Sequence, residues 1–188
     1  MKKKLAAAVS GGAVLMLVLS GCGGDDGDTK ADDWAKKVCD KWQPEYKKID
    51  AANAEMKRVA SESSKPEEVQ KTDSAAFQTM SEAFTGISSA LRAAGDPGGK
   101  DGKATAEAAA KSFEDTAKGY TELKTKMDAL DAKDQAKFAE GLLGLSGGLE
   151  KVAADEKAAK EKLKAGTLEK AMAKQKGCQA TTPAPAQS

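Results

Sequence analysis

Residues 64–95 read SKPEEVQKTDSAAFQTMSEAFTGISSALRAAG, and this stretch decides the fold. Val69, Ala76, Phe77, Met80, Phe84, Ile87 and Leu91 recur at helical steps and form one face of a helix. Ser64 is placed to cap it, Pro66 suits the first turn, and Glu67 completes a capping box. Gly95 stands where a left-handed residue ends a helix.

The same period continues on both sides. Trp34, Val38, Trp42, Tyr46, Ile49, Met56 and Val59 mark a helix over 30–61, with a kink or restart expected at Pro44. Residues 95–102 form a Gly-rich loop. A third helix then carries Ala106, Ala110, Phe113, Ala117, Tyr120, Leu123, Met127 and Leu130. Asp131 is the expected cap of a fourth helix, with Phe138, Leu142, Leu145, Leu149 and Val152 on its stripe, running to about residue 165. Gly166 and Thr167 stop that helix and start a short fifth over 168–176. Long amphipathic helices joined by short loops favour antiparallel neighbours. The expected fold is all-α: an antiparallel four-helix bundle with a short fifth helix, closed by one disulfide.

That disulfide follows from counting cysteines. The chain holds three. Cys22 directly follows an export signal and is the expected lipid site, which leaves Cys39 and Cys178 in an oxidising compartment where disulfides persist. An up-down-up-down order brings the start of the first helix beside the end of the fourth, and so brings these two cysteines to one end. Pairing is the expectation; free thiols and an intermolecular bridge are the alternatives. Closing so long a loop would stabilise by at most roughly 4–5 kcal/mol on chain-entropy grounds.

The export signal occupies residues 1–21. Lys2, Lys3 and Lys4 precede an apolar run from Leu5 to Leu19, too short for a comfortable membrane span. Leu19-Ser20-Gly21-Cys22 resembles the lipobox of bacterial lipoproteins, which implies a diacylated Cys22 at the mature N-terminus. Two acyl chains suffice for stable anchoring. Residues 22–30 read as a flexible lipidated tether, 31–178 as the helical domain, and 179–188 as a disordered Thr-, Pro- and Ala-rich tail. The expected location is the extracytoplasmic face of the cell membrane, with partial release as a variant.

Composition removes whole function classes. There is no His. A Ser-His-Asp triad is therefore ruled out, as are a His-ligated haem and His-containing zinc or di-iron sites. Residues 1–21 hold three of the 30 basic side chains and none of the 29 acidic ones, so residues 22–188 carry a net charge of −2. No electrostatic footprint for nucleic acid is present. Asp96 and Asp101 lack the spacing of an EF-hand loop. No catalytic residue, metal or cofactor is expected. The eight aromatics read as core, with lipid contact or a ligand cage as alternatives for Trp34 and Trp42.

One stretch breaks the helical rule. Gly141, Gly144, Gly147 and Gly148 fall within eight residues of the fourth helix, each costing roughly 0.8–1 kcal/mol against Ala. Gly141, Gly144 and Gly148 share a side. Close approach to a neighbouring helix, or a kinked and weak helix, explains them blandly. A groove or hinge for a partner makes them a candidate interaction surface.

The Lys-rich start, LSGCGG over 19–24, WAKKVC over 34–39, DAKDQAKF over 131–138 and AMAKQKGC over 171–178 resemble the small secreted lipoproteins of actinobacteria. The resemblance implies a helical cell-surface protein with lipid on Cys22 and no assigned biochemical role. It carries over no catalytic residue. The function expected is a non-enzymatic lipid-anchored module that binds a protein or envelope component. The alternative is a carrier of a small apolar ligand in the bundle core.

Overall fold

The structure is a computed structural model that describes residues 25–61, 63–164 and 166–179. Its regular elements are all helices: α1 Asp25–Val59, α2 Pro66–Ala93, α3 Gly102–Asp128, α4 Gln135–Leu143, α5 Ser146–Leu163, α6 Gly166–Ala173 and α7 Lys176–Gln179. The expected signal segment, Cys22 and residues 180–188 of the expected tail lie outside the described residues.

Several boundaries differ from the sequence expectation, each for a local reason. α1 starts at Asp25, so residues 25–30 of the expected tether are helical. Ala31, Trp34 and Ala35 are buried just beyond, so the helix already packs within its second turn. α1 also runs through Pro44 without a restart. Pro44 and Asp40, whose carbonyl it cannot serve, both belong to the exposed side, where water can take the lost bond. Lys65, not Ser64, is the N-cap of α2, with an extended backbone at φ −75° and ψ 141° that a residue before proline favours. The Ser64 hydroxyl instead lies 2.8 Å from that of Ser61. At the other end, Gly95 has φ +84° and follows the C-cap Ala94, as expected of a helix terminator.

The expected fourth helix is two helices. Asp134 rather than Asp131 caps the first, its carboxylate accepting from the backbone N–H groups of Ala136 and Lys137 at 3.1 Å each. Asp131 accepts from the N–H of Lys133 at 3.2 Å, inside the preceding turn. The short fifth helix expected over 168–176 is likewise divided into α6 and α7.

Cross-helix contacts fix how neighbours run. Trp42 Nε1 donates to the Ile87 carbonyl at 3.2 Å, and Arg58 pairs with Glu68 at 3.3 Å, so α1 and α2 run in opposite directions. Gln70 donates to the Met127 and Leu130 carbonyls at 2.9 and 2.8 Å, and the Ser74 hydroxyl donates to Asp128. Ser88 donates to the Ala110 carbonyl at 2.8 Å, so α3 reverses against α2. Lys162 donates to Ser112 at 2.7 Å while Gly148 lies against Leu123, so α5 reverses against α3. α6 and α7 pack on α1.

Aromatic rings join these helices in the interior. Phe84 stacks on Tyr120 at 5.6 Å and 3°, and lies 6.1 Å from Phe113 at 14°. Trp42 meets Phe113 edge-on at 5.4 Å. Such pairs contribute about 0.5–1.5 kcal/mol each beyond their buried area. Trp34 and Trp42 are buried at 1% and 4% exposure, so neither is placed for lipid contact, and both belong to the core. Cys39 and Cys178 form the expected disulfide, with Cα atoms 5.0 Å apart across 139 residues of sequence.

One polar side chain sits against the pattern. Asp73 lies four residues after Val69 and four before Phe77, on the stripe of α2 that faces inward. Its Oδ1 is buried without a hydrogen-bond partner. Burial pushes its carboxyl up to about 6, because the charged form loses water and gains nothing in return. The folded carboxyl therefore holds its proton at a higher pH than the unfolded one. The resulting penalty is absent below about pH 4 and complete above about pH 6. Asp73→Asn should raise stability at pH 7 by on the order of 1 kcal/mol, since partial exposure screens the penalty. The difference from the parent should vanish near pH 4. Urea unfolding at both pH values measures it; an equal difference at both would contradict this assignment.

Candidate interaction surface at the α4–α5 break

The break between α4 and α5 is built from what its residues bury. Phe138 anchors α4 and Leu145 anchors the turn, at 4% and 3% exposure. Leu142 is half-buried against the same core. Leu143 follows directly and cannot share that face. It is 76% exposed, and Leu149 in the first turn of α5 is 39% exposed. The Ser146 hydroxyl donates to the Leu143 carbonyl at 2.8 Å, satisfying an acceptor that the break removes from the helix ladder. Leu145 N–H donates to the Leu142 carbonyl at 3.0 Å and tightens the turn.

The three glycines expected on one surface are divided by this geometry. A Cβ on Gly141 would lie 2.5 Å from Leu130 Cδ2, and one on Gly148 would lie 2.8 Å from Leu123 Cδ2. These two positions serve close approach to neighbouring parts of the fold. Gly144 is exposed at the C-cap of α4. Gly147 faces open space, with no atom within 4 Å of an added Cβ. The exposed part of the region thus includes Leu143, Gly144, Ser146, Gly147 and Leu149. Leu143 was not singled out by sequence, although a Leu142-Leu143-X-Leu145 run on a helix must turn one leucine outward.

A second surface feature was also missed. A groove of about 630 Å³ runs between α1 and α2, with Ala51, Ala52, Ala75 and Ala76 among its lining residues. Small side chains leave the groove open. Charged residues of both signs also line it: Lys48, Lys71, Arg58, Glu55 and Glu68. Arg58 bridges Glu55 at 2.9 Å and Glu68 at 3.3 Å, and both hydrogen bonds hold its guanidinium charged.

Several other ionisable groups are engaged in surface pairs or packed among rings. Arg92 binds Glu107 and Glu114 at 3.1 and 2.9 Å. Lys118 and Arg92 together hold the Glu114 carboxyl down at about 2. Burial, followed by the charge of Glu156, pushes the Tyr120 hydroxyl up to about 12 and the Tyr46 hydroxyl higher still. Lys160 pairs with Glu156 at 2.6 Å and sits 5.0 Å above the Tyr46 ring. Among the described residues no group of three or more Cys, Asp or Glu is placed to hold a metal ion. Nor is any described helix long and apolar enough to cross a membrane.

Comparison of the chain with protein families, with curated proteins and with solved structures finds no match.

The two glycines at 147 and 148 should respond oppositely to alanine. Gly147→Ala gains helix propensity with nothing to displace and should stabilise by about 0.4–1 kcal/mol. Gly148→Ala must move the buried Leu123 side chain and should lower stability. Thermal unfolding of both variants tests this; equal shifts would mean that α5 does not approach α3 as described.

Proposed function

We propose that this chain is a non-enzymatic module held on the extracytoplasmic face of the cell membrane by lipid on Cys22, binding a protein or envelope component. The observation that carries the reading is the Cys39–Cys178 bridge. It accounts for two of three cysteines and leaves Cys22, the one at the end of the lipobox-like segment. A disulfide also suits an oxidising compartment. The resemblance to small secreted actinobacterial lipoproteins points the same way.

We further read α1, α2, α3 and α5 as an antiparallel four-helix bundle. Support comes from the reversed pairings of Trp42 with Ile87, Ser88 with Ala110, and Ser112 with Lys162. In that arrangement the disulfide and the tether share one end. The α1–α2 turn and the α3–α4 turn share the other, away from the membrane. Leu143 then sits on the outward side, beside the α4–α5 break. The binding reading rests on this exposed leucine and on the charged groove between α1 and α2. A carrier of an apolar ligand in the bundle core has less support, because Phe77, Phe84 and Phe113 fill that interior.

Replacing Cys22 with Ser should move the protein from the membrane fraction to the soluble fraction and abolish fatty-acid labelling. Helix content by circular dichroism should be unchanged. Membrane association and labelling that both survive the substitution would contradict the anchor.

A further inference from the structure

We propose that α6 and α7 form a strap latched by the disulfide, so that reduction releases residues 166–179 from α1 while α1, α2, α3 and α5 stay folded. The strap has a hinge. α5 ends at Leu163, and α6 opens on Gly166 at φ +59°, a left-handed conformation that glycine adopts without strain. Its apolar anchors are few: Leu168 and Ala171 are buried, and Met172 is partly buried beside them. The Lys174–Asp32 ion pair at 2.8 Å is solvent-exposed and contributes little. Helices of eight and four residues are too short to hold their form alone. The covalent link is therefore the strongest tie from strap to α1.

The latch is also placed to be opened. A hollow of about 340 Å³ lies between the strap and the body, lined by Trp42, Leu163, Met172 and Cys178 among others. Cys178 is half-buried there, whereas Cys39 is fully buried. A thiolate of a dithiol reductant reaches the Cys178 sulfur from this hollow. Its attack forms a mixed disulfide and breaks the bond to Cys39, which leaves as a thiolate and takes a proton. The second thiol of the reductant then displaces Cys178. The reductant ends as a disulfide, and the protein gains two electrons and two protons. Gly177 makes the closed form exacting, since a Cβ there would meet the Cys39 carbonyl oxygen at 2.5 Å. The body keeps its own core, because the Phe84, Phe113 and Tyr120 rings lie on α2 and α3.

Hydrogen exchange read by mass spectrometry on the mature protein, with and without dithiothreitol, tests the latch. A Cys178→Ser variant without reductant guards against incomplete reduction. Exchange across 166–179 should rise at least tenfold in both, while amides of α2 and α3 change less than twofold. Unchanged strap exchange would mean that Leu168 and Ala171 hold it unaided. A parallel rise in α2 and α3 would mean that the bridge staples the whole fold. Either result overturns the proposal.

Discussion

Phe84 sits with its ring against both Tyr120 and Phe113, and Trp42 meets Phe113 edge-on, so the packing of α1, α2 and α3 depends on this one aromatic cluster. The chain has only eight aromatic side chains, and seven of them are buried, with Tyr120 half-buried beside them. The rings pack with aliphatic side chains such as Met80, Ile87, Leu91 and Leu123, and alanines at 83, 109, 110 and 117 line the close approaches between them. Alanine brings helices close but buries little area per residue. With the aromatics committed to the core, the surface is left to charged pairs, alanine-lined grooves and isolated leucines.

The same division explains the α4–α5 break. Phe138, Leu145 and Val152 all need the interior. Glycines at 141 and 148 let the neighbouring segments approach, and their low helix propensity makes interruption inexpensive there. Asp73 is the opposite case: a charge kept on an inward stripe, without a partner for Oδ1, at a cost that grows with pH.

Much of the fold was legible because amphipathic helices announce themselves through their period. The stripe of Phe77, Met80, Phe84, Ile87 and Leu91 is buried throughout, and Gly95 terminates α2 in the left-handed conformation. The disulfide was legible from cysteine count and helix order. Finer features were not. Ser64 and Asp131 are chemically good caps, but Pro66 sets the backbone of Lys65 and Asp134 stands closer to the first helical N–H groups. Pro44 looked disruptive because sequence alone does not say which side of a helix meets water. The glycines at 141, 144 and 148 share a face only on an unbroken helix, so the break separates them. Grooves such as that between α1 and α2 depend on how two helices meet, which periodicity within each does not encode.

Cysteine chemistry connects the fold to the proposed role, since Cys39 and Cys178 form the bridge and Cys22 is the proposed lipid site. The most direct measurement is intact mass spectrometry of the protein extracted from its own membrane, alkylated before and after reduction. The account predicts a chain beginning at Cys22 and carrying a diacylglyceryl group. No cysteine should alkylate before reduction, and two should alkylate after it. A mature chain that begins elsewhere without lipid, or one whose Cys39 and Cys178 alkylate without reduction, would contradict it.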